Sequence, residues 1–188
     1  MKKHPVRHNF FLITEVLAVA IGALLIAVPS ARQRGRTASC INNVKILSTV
    51  QMVYCADFDD WYPMSADRAD ILPAMIKMGY YIHEKTLTCP NSESDEPTYA
   101  FLSFNADITM SHIQSPSTLP LILCNCHKGK LAVIGFADGH VETRELPREF
   151  HSYAELTDWL LENCKNENPR VIRAIRKNAR ELDRLNRK

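Results

Sequence analysis

The first pattern along the chain is an apolar stretch of 19 residues, Phe10 to Val28, in which Glu15 is the only charged residue. Three basic residues precede it, namely Lys2, Lys3 and Arg7. About 20 apolar residues are needed for a helix to cross the hydrocarbon core of a bilayer. The stretch therefore predicts a transmembrane helix, and the basic leader predicts that residues 1–9 stay in the cytoplasm while the rest lies outside.

A cleavable secretory signal peptide is the alternative interpretation of this N-terminus. Its charged start, its apolar stretch and the small residues near Ser30 and Ala31 all fit that class of segment. Glu15 argues against it, because a carboxylate in lipid costs free energy unless it is paired. In a filament, the amino group of a neighbouring subunit's processed N-terminus would be a natural partner for Glu15.

Helical periodicity continues beyond the apolar stretch and predicts one helix from Phe10 to about Ala56. Its length at 1.5 Å per residue is roughly 70 Å. Val44, Leu47 and Tyr54 fall near one face, which we expect to pack against a head domain. Pro29 removes a backbone donor and should kink the helix.

The middle of the chain has the pattern of a small antiparallel sheet. Residues 98–104 are aromatic and strand-like, and the apolar runs 119–124 and 131–137 flank a polar segment, which predicts a hairpin. Asp138-Gly139 is a turn signal, and residues 140–146 alternate as a last strand would. The predicted fold class is therefore α+β, with the sheet packed on the long N-terminal transmembrane and stalk helix.

The C-terminal part predicts two further helices. Ser152 and Glu155 form a capping box before a helix that reaches Leu161, and Asn168-Pro169 places a cap and a first-turn proline before the second. Residues 169–188 hold eight Lys/Arg and two Asp/Glu, a local charge of +6 in a chain of net +2. Such a basic amphipathic helix meets anionic lipid, a partner helix or nucleic acid, or packs on its own domain.

These elements divide the chain into four parts. They are a basic leader (1–9), a transmembrane and stalk helix (10–56), a head (57–150) and a helical basic C-terminal extension (151–188).

Several short motifs follow one another along residues 10–141. They read FFLITE at 10–15, SCINNVK at 39–45, YCADFDDWYP at 54–63, CP at 89–90 and FADGHV at 136–141, with ten residues between His127 and Asp138. This series resembles the type IV pilin-like proteins. More specifically it resembles the pseudopilin-like proteins of type II secretion, with a prepilin-type cleavage/methylation segment and a C-terminal H-X9-DG-type motif.

The resemblance assigns roles to particular residues. It places N-terminal processing at Asn9, Phe10 and Phe11, although no glycine precedes either phenylalanine, and it makes Glu15 the assembly residue. It implies a disulfide candidate, Cys40 with Cys89. The remaining positions of the family motif are Asn42, Asn43, His127, Asp138, Gly139 and His140.

The resemblance also implies a function, that of a structural subunit of a pseudopilus or type II secretion-like envelope assembly in protein transport. It implies a single-pass inner-membrane protein with a periplasmic head, no enzyme activity and no cofactor. The expected partners are other pseudopilin-like subunits or further copies, the lipid bilayer and a prepilin peptidase; nucleic acid is a further candidate, through Arg170–Lys188. A membrane-anchored binding module for DNA or another ligand is the alternative, followed by a secreted metal-dependent enzyme.

A metal site is the sharpest chemical hypothesis that the cysteines allow. Cys124, Cys126, His127 and His140 are all ligand types of tetrahedral zinc, but their spacing is not that of a standard finger. No nucleophile motif, phosphate loop or His-Glu-x-x-His stands beside them. The sequence therefore predicts no bound metal and no catalytic residue. If zinc is bound, these four residues are the candidate ligands.

Overall fold

The fold is taken from a computed structural model of the chain. The residues that it describes are 6–62, 79–80, 82–93, 97–104, 108–127, 129–164 and 167–185, without the side chains of 6–14, 20, 23–24 and 26.

The longest element is helix α1, which spans Val6–Asp57 and continues through Pro29. It matches the predicted helix to within a few residues at each end. At its C-terminus the Asp60 N–H donates to the Cys55 carbonyl (2.8 Å), and Asp59 and Asp60 have φ of 49° and 63°. This left-handed pair ends the helix, because regular helical hydrogen bonding does not continue through positive φ.

The predicted transmembrane segment is not supported. Among the residues that the structure describes, no helix is both long and apolar enough to cross a membrane. The transmembrane part of the predicted fold and the single-pass inner-membrane location are therefore corrected.

Four strands form one antiparallel sheet in the order β1-β2-β3-β4. They are β1 (Ala100–Phe101), β2 (Pro120–Cys124), β3 (Leu131–Phe136) and β4 (Val141–Glu145). β2 is fully buried and β3 nearly so, whereas β4 is half-exposed and alternates in sequence. Continuous apolar runs thus lie in the middle of the sheet and the alternating run lies at its edge.

The C-terminal half of α1 packs on this sheet. Its buried residues recur at helical spacing, namely Cys40, Val44, Leu47, Ser48, Gln51 and Cys55. The closest approach is at Gly135 in β3, where an added Cβ would collide with Ser48 Oγ and lie 3.1 Å from Val44 Cγ1. Glycine at this position allows helix and strand to lie close together.

The C-terminal extension packs on the same domain. Helix α2 spans Tyr153–Leu161, with Ser152 Oγ accepting from the Glu155 N–H (3.1 Å), and helix α3 spans Pro169–Leu185. The buried face of α3 consists of Val171, Ile175, Asn178, Ala179 and Leu182.

Polar contacts of Asp183 and Asn178 help to hold α3 in place. The Asp183 carboxylate accepts the Tyr153 and Ala154 N–H groups at 2.7 and 2.9 Å, so α3 caps the N-terminus of α2. The buried Asn178 accepts from the Ser103 N–H and donates to the Ser103 hydroxyl, both at 3.0 Å. Helices α2 and α3 therefore pack together and against the head.

Candidate functional site

Four metal-binding side chains meet where α1 crosses the sheet. Cys40 comes from α1, Cys89 follows a short 3₁₀ turn, Cys124 ends β2 and His127 lies in the loop to β3. One ligand atom from each lies within 4.8 Å of all the others, and each residue is at most 5% exposed. We call these residues the thiol–imidazole cluster.

The distances within the cluster are short, but none is a covalent bond. His127 Nε2 lies 3.4 Å from Cys40 Sγ and 3.8 Å from Cys89 Sγ. All six cysteines of the chain are described and all are free thiols. Hydrogen bonds from Cys124, Cys126 and Cys40 lower the pKa of Cys89. The same kind of contact, with Cys126, Cys40 and Cys89, raises the pKa of Cys124.

A second layer of polar groups surrounds the cluster. Asn91 Nδ2 lies 3.0 Å from His127 Nδ1, and the Tyr99 hydroxyl donates to Cys40 Sγ at 3.6 Å. Asn43 Nδ2 in turn donates to the Tyr99 hydroxyl (3.4 Å). The motif residue Asn43 thus supports Cys40 through Tyr99, whereas Asn42 is exposed.

The structure divides the four zinc candidates of the sequence. Cys124 and His127 belong to the cluster, and Cys126 lies half-buried beside it, within hydrogen-bonding reach of Cys89 and Cys124. His140 lies at the other end of the β3–β4 hairpin. The sequence predicts Cys40 and Cys89 only as a disulfide pair. Cys40 and His127 are 87 positions apart, so no local spacing indicates that they share a site.

The Asp138-Gly139-His140 motif forms the turn between β3 and β4. Gly139 has φ of +85°, and its N–H donates to the Phe136 carbonyl at 2.9 Å. Asp138 accepts from the His140 backbone and ring, and that ring stacks on Phe136 at 4.4 Å. These contacts give the motif a structural role in the turn.

The N-terminal part of α1 carries the predicted assembly residues. Glu15 is exposed. Asn9, Phe10 and Phe11 lie in the helix, and their side chains are not among those that the structure describes. Large apolar side chains follow Glu15 and are exposed, namely Val16, Leu17, Val19, Ile21, Leu25 and Val28. We call these six side chains the exposed apolar surface of α1.

A third feature is the outer face of α3, which is basic. Its groove is lined by Arg173, Arg176, Lys177, Arg180, Glu181 and Arg184. Arg176 Nε pairs with Asp158 Oδ1 of α2 at 2.8 Å. One of the five cations is thus partly neutralised within the chain.

Comparison with protein-family models, with curated proteins and with solved structures finds no match to this chain. The resemblance to pilin-like proteins therefore depends on the short motifs alone.

Proposed function

We propose that the protein is a non-catalytic structural subunit that assembles with further copies of itself through the N-terminal part of α1. The observation that carries this proposal is the exposed apolar surface of α1, where Val16, Val19 and Leu25 are 69%, 74% and 70% exposed. A run of large apolar side chains this exposed marks an interaction site. Its place at the start of the chain agrees with the pilin-like motifs.

The distribution of these side chains around the helix favours several neighbours over one. Around the helix axis, Val19 and Ile21 are about 160° apart at 3.6 residues per turn, and Leu17 lies at an angle between those of Val16 and Ile21. A flat partner surface would cover only one side. A bundle of identical helices covers all sides, because each copy brings the same apolar residues to its neighbours.

The energetic gain from such a bundle is large. Fully burying one Val, Leu or Ile side chain contributes about 1.5–3 kcal/mol, and six of these side chains are exposed in each copy. Glu15 would then lose water and need a positive partner. The amino group of a neighbouring copy's N-terminus is the partner that the pilin-like resemblance supplies.

Assembly is tested by sedimentation velocity and negative-stain electron microscopy on the full-length chain. The variant Leu17→Gln with Leu25→Gln should stay monomeric at concentrations where the parent protein assembles. The matched control is Ile46→Gln with Val53→Gln, since these residues lie in the packed half of α1 and are 37% and 44% exposed. The proposal fails if the first variant assembles like the parent.

A second test addresses Glu15. Glu15→Ala should leave the circular dichroism and melting of the head unchanged, because the side chain is exposed. It should abolish ordered assembly, because the contact that sets the register between copies is lost. Filaments of unchanged order from this variant would remove Glu15 from the mechanism.

The basic face of α3 favours a second candidate, a binding module for DNA. Exposed arginines and lysines on one helical face attract phosphates, and affinity then falls steeply with salt. The test is a salt titration of duplex binding by the parent and by Arg173→Glu with Lys177→Glu. A loss of salt-dependent binding in this variant supports the candidate. Equal binding by parent and variant, or no binding by the parent, discards it.

A further inference from the structure

We propose that Cys40, Cys89, Cys124 and His127 bind one structural zinc ion, which fastens α1 to the sheet. The proposal concerns the head and is independent of the proposed self-assembly.

The first support is the separation of the ligand atoms. Zinc–sulfur bonds of about 2.3 Å and zinc–nitrogen bonds of about 2.0–2.1 Å at tetrahedral angles place nitrogen and sulfur ligands about 3.6 Å apart. The two measured nitrogen–sulfur distances are 3.4 and 3.8 Å. All four atoms lie within 4.8 Å of one another, so one ion at their centre reaches all of them with small adjustments.

The second support is the chemistry of the ligands. Three thiols and one imidazole make a Cys₃His set, which is one of the compositions of structural zinc sites. Thiolates bind zinc in preference to magnesium or calcium, which take oxygen ligands. All four residues are buried, and four protein ligands fill a tetrahedral ion. The site is therefore closed, with no position for a substrate, and its role is structural.

The third support is the polar layer behind the ligands. A zinc-bound histidine donates its other ring N–H to a nearby acceptor. Asn91 lies 3.0 Å from His127 Nδ1, and its amide presents oxygen there after a half-turn of the side chain. The Tyr99 hydroxyl donates to Cys40 Sγ, which stabilises a thiolate in that position.

The positions of the ligands define what the ion would do. Cys40 is on α1, Cys124 is on β2, and Cys89 and His127 are in two loops. One ion would thus join the helix, a central strand and two connections. Because the ligands are far apart in sequence, the ion would hold together parts of the chain that are independent when unfolded, and its binding free energy would add to folding.

The test measures zinc in the full-length protein purified without chelator, by elemental analysis and native mass spectrometry. We expect one zinc per chain and the strong ligand-field bands of a tetrahedral thiolate site when cobalt replaces zinc. Cys124→Ser should lose the metal. Cys55→Ser and Cys164→Ser should keep it at one per chain, since both residues are buried cysteines outside the cluster.

His127→Cys separates loss of the ligand from loss of the fold. It keeps four ligands, so it should retain one zinc, while the cobalt spectrum shifts toward that of four thiolates. An unchanged cobalt spectrum would place His127 outside the site. Two other results would overturn the proposal, namely a metal-free protein with a Cys40–Cys89 disulfide in peptide mapping and a metal-free protein with six free thiols.

Discussion

The two halves of α1 differ in apolar content and in surroundings: 12 of the 13 residues from Val16 to Val28 are apolar, against 10 of the 16 from Cys40 to Cys55. Between Cys40 and Cys55 one face of the helix is buried against the sheet, as at Leu47, which is 1% exposed, while Ile46 and Val53 on the outer side are 37% and 44% exposed. Between Glu15 and Val28 the large apolar side chains that the structure describes are distributed around the helix and are exposed, as at Leu17, which is 58% exposed. The arrangement of the apolar side chains around the helix, together with their number, distinguishes a helix face that packs within its own chain from one that needs partners.

Hydrogen exchange should show the largest difference between the two halves. In dilute monomeric protein, amides of residues 40–55 should be protected by several kcal/mol more than those of residues 16–28, because only the former need the sheet to open. Amide exchange followed by mass spectrometry measures both segments in one experiment. Raising the protein concentration should increase protection only in residues 16–28, and equal protection of both segments in the monomer would contradict the comparison.

A pair of leucine substitutions should give the next largest effect. Leu47→Ala should reduce the free energy of unfolding by about 2–5 kcal/mol, because it removes buried methyl groups and leaves a cavity. Leu17→Ala should leave the monomer within about 0.5 kcal/mol of the parent, because its side chain is exposed. Denaturant melts of both variants, below the concentration at which the protein assembles, measure the two free energies of unfolding. Equal losses of stability would show that both halves pack in the monomer.

Alanine substitutions at two glycines should change the free energy of unfolding by smaller amounts, and the two changes should differ in sign. Gly135→Ala should destabilise by about 1–3 kcal/mol, because the new methyl group collides with Ser48 Oγ. Gly35→Ala in α1 should be neutral or stabilising by up to about 1 kcal/mol, because nothing lies within 4 Å of its added Cβ and alanine favours helix. Thermal melts of both variants provide the measurement.

The Ser48 hydroxyl supplies the control for the glycine pair. It is buried and has no hydrogen-bond partner among the described residues. Ser48→Ala should therefore be tolerated alone and should recover part of the loss in Gly135→Ala. No recovery in the double variant would mean that the loss arises elsewhere in β3.

The smallest expected effect lies on the outer face of the packed half. Val53 is 44% exposed, so Val53→Thr should change the free energy of unfolding by less than about 0.5 kcal/mol. The same denaturant melt measures it. A loss as large as that of Leu47→Ala would show that both faces of this half of α1 are packed.

The sequence predicts the helices and the hairpin well because their signals are local. The periodic Val44 and Leu47, the Ser152 cap and the Asp138-Gly139 turn each act within a few residues, and the structure places them accordingly. The transmembrane prediction was wrong, because no helix among the described residues is both long and apolar enough to cross a membrane.

The thiol–imidazole cluster could be predicted only in part. Cys124 and His127 are neighbours in sequence, so their shared chemistry is visible there. Cys40 and Cys89 join them through the packing of α1 on the sheet, and spacing along the chain contains no information on that packing. Packing of α3 on its own domain is one of the alternatives that the sequence predicts. Its contacts with Ser103 and Tyr153 show that one face of α3 is covered by the domain.

Cys40 and His127 are 87 positions apart in sequence, which has a consequence for the order of folding. Helix α1 depends on contacts within four residues and forms on a submicrosecond timescale, whereas contacts that close so long a loop form late. During synthesis α1 therefore leaves the ribosome well before β2 and the loop that holds His127. Throughout that interval its apolar residues have no sheet to pack on, and such exposed apolar surface favours aggregation.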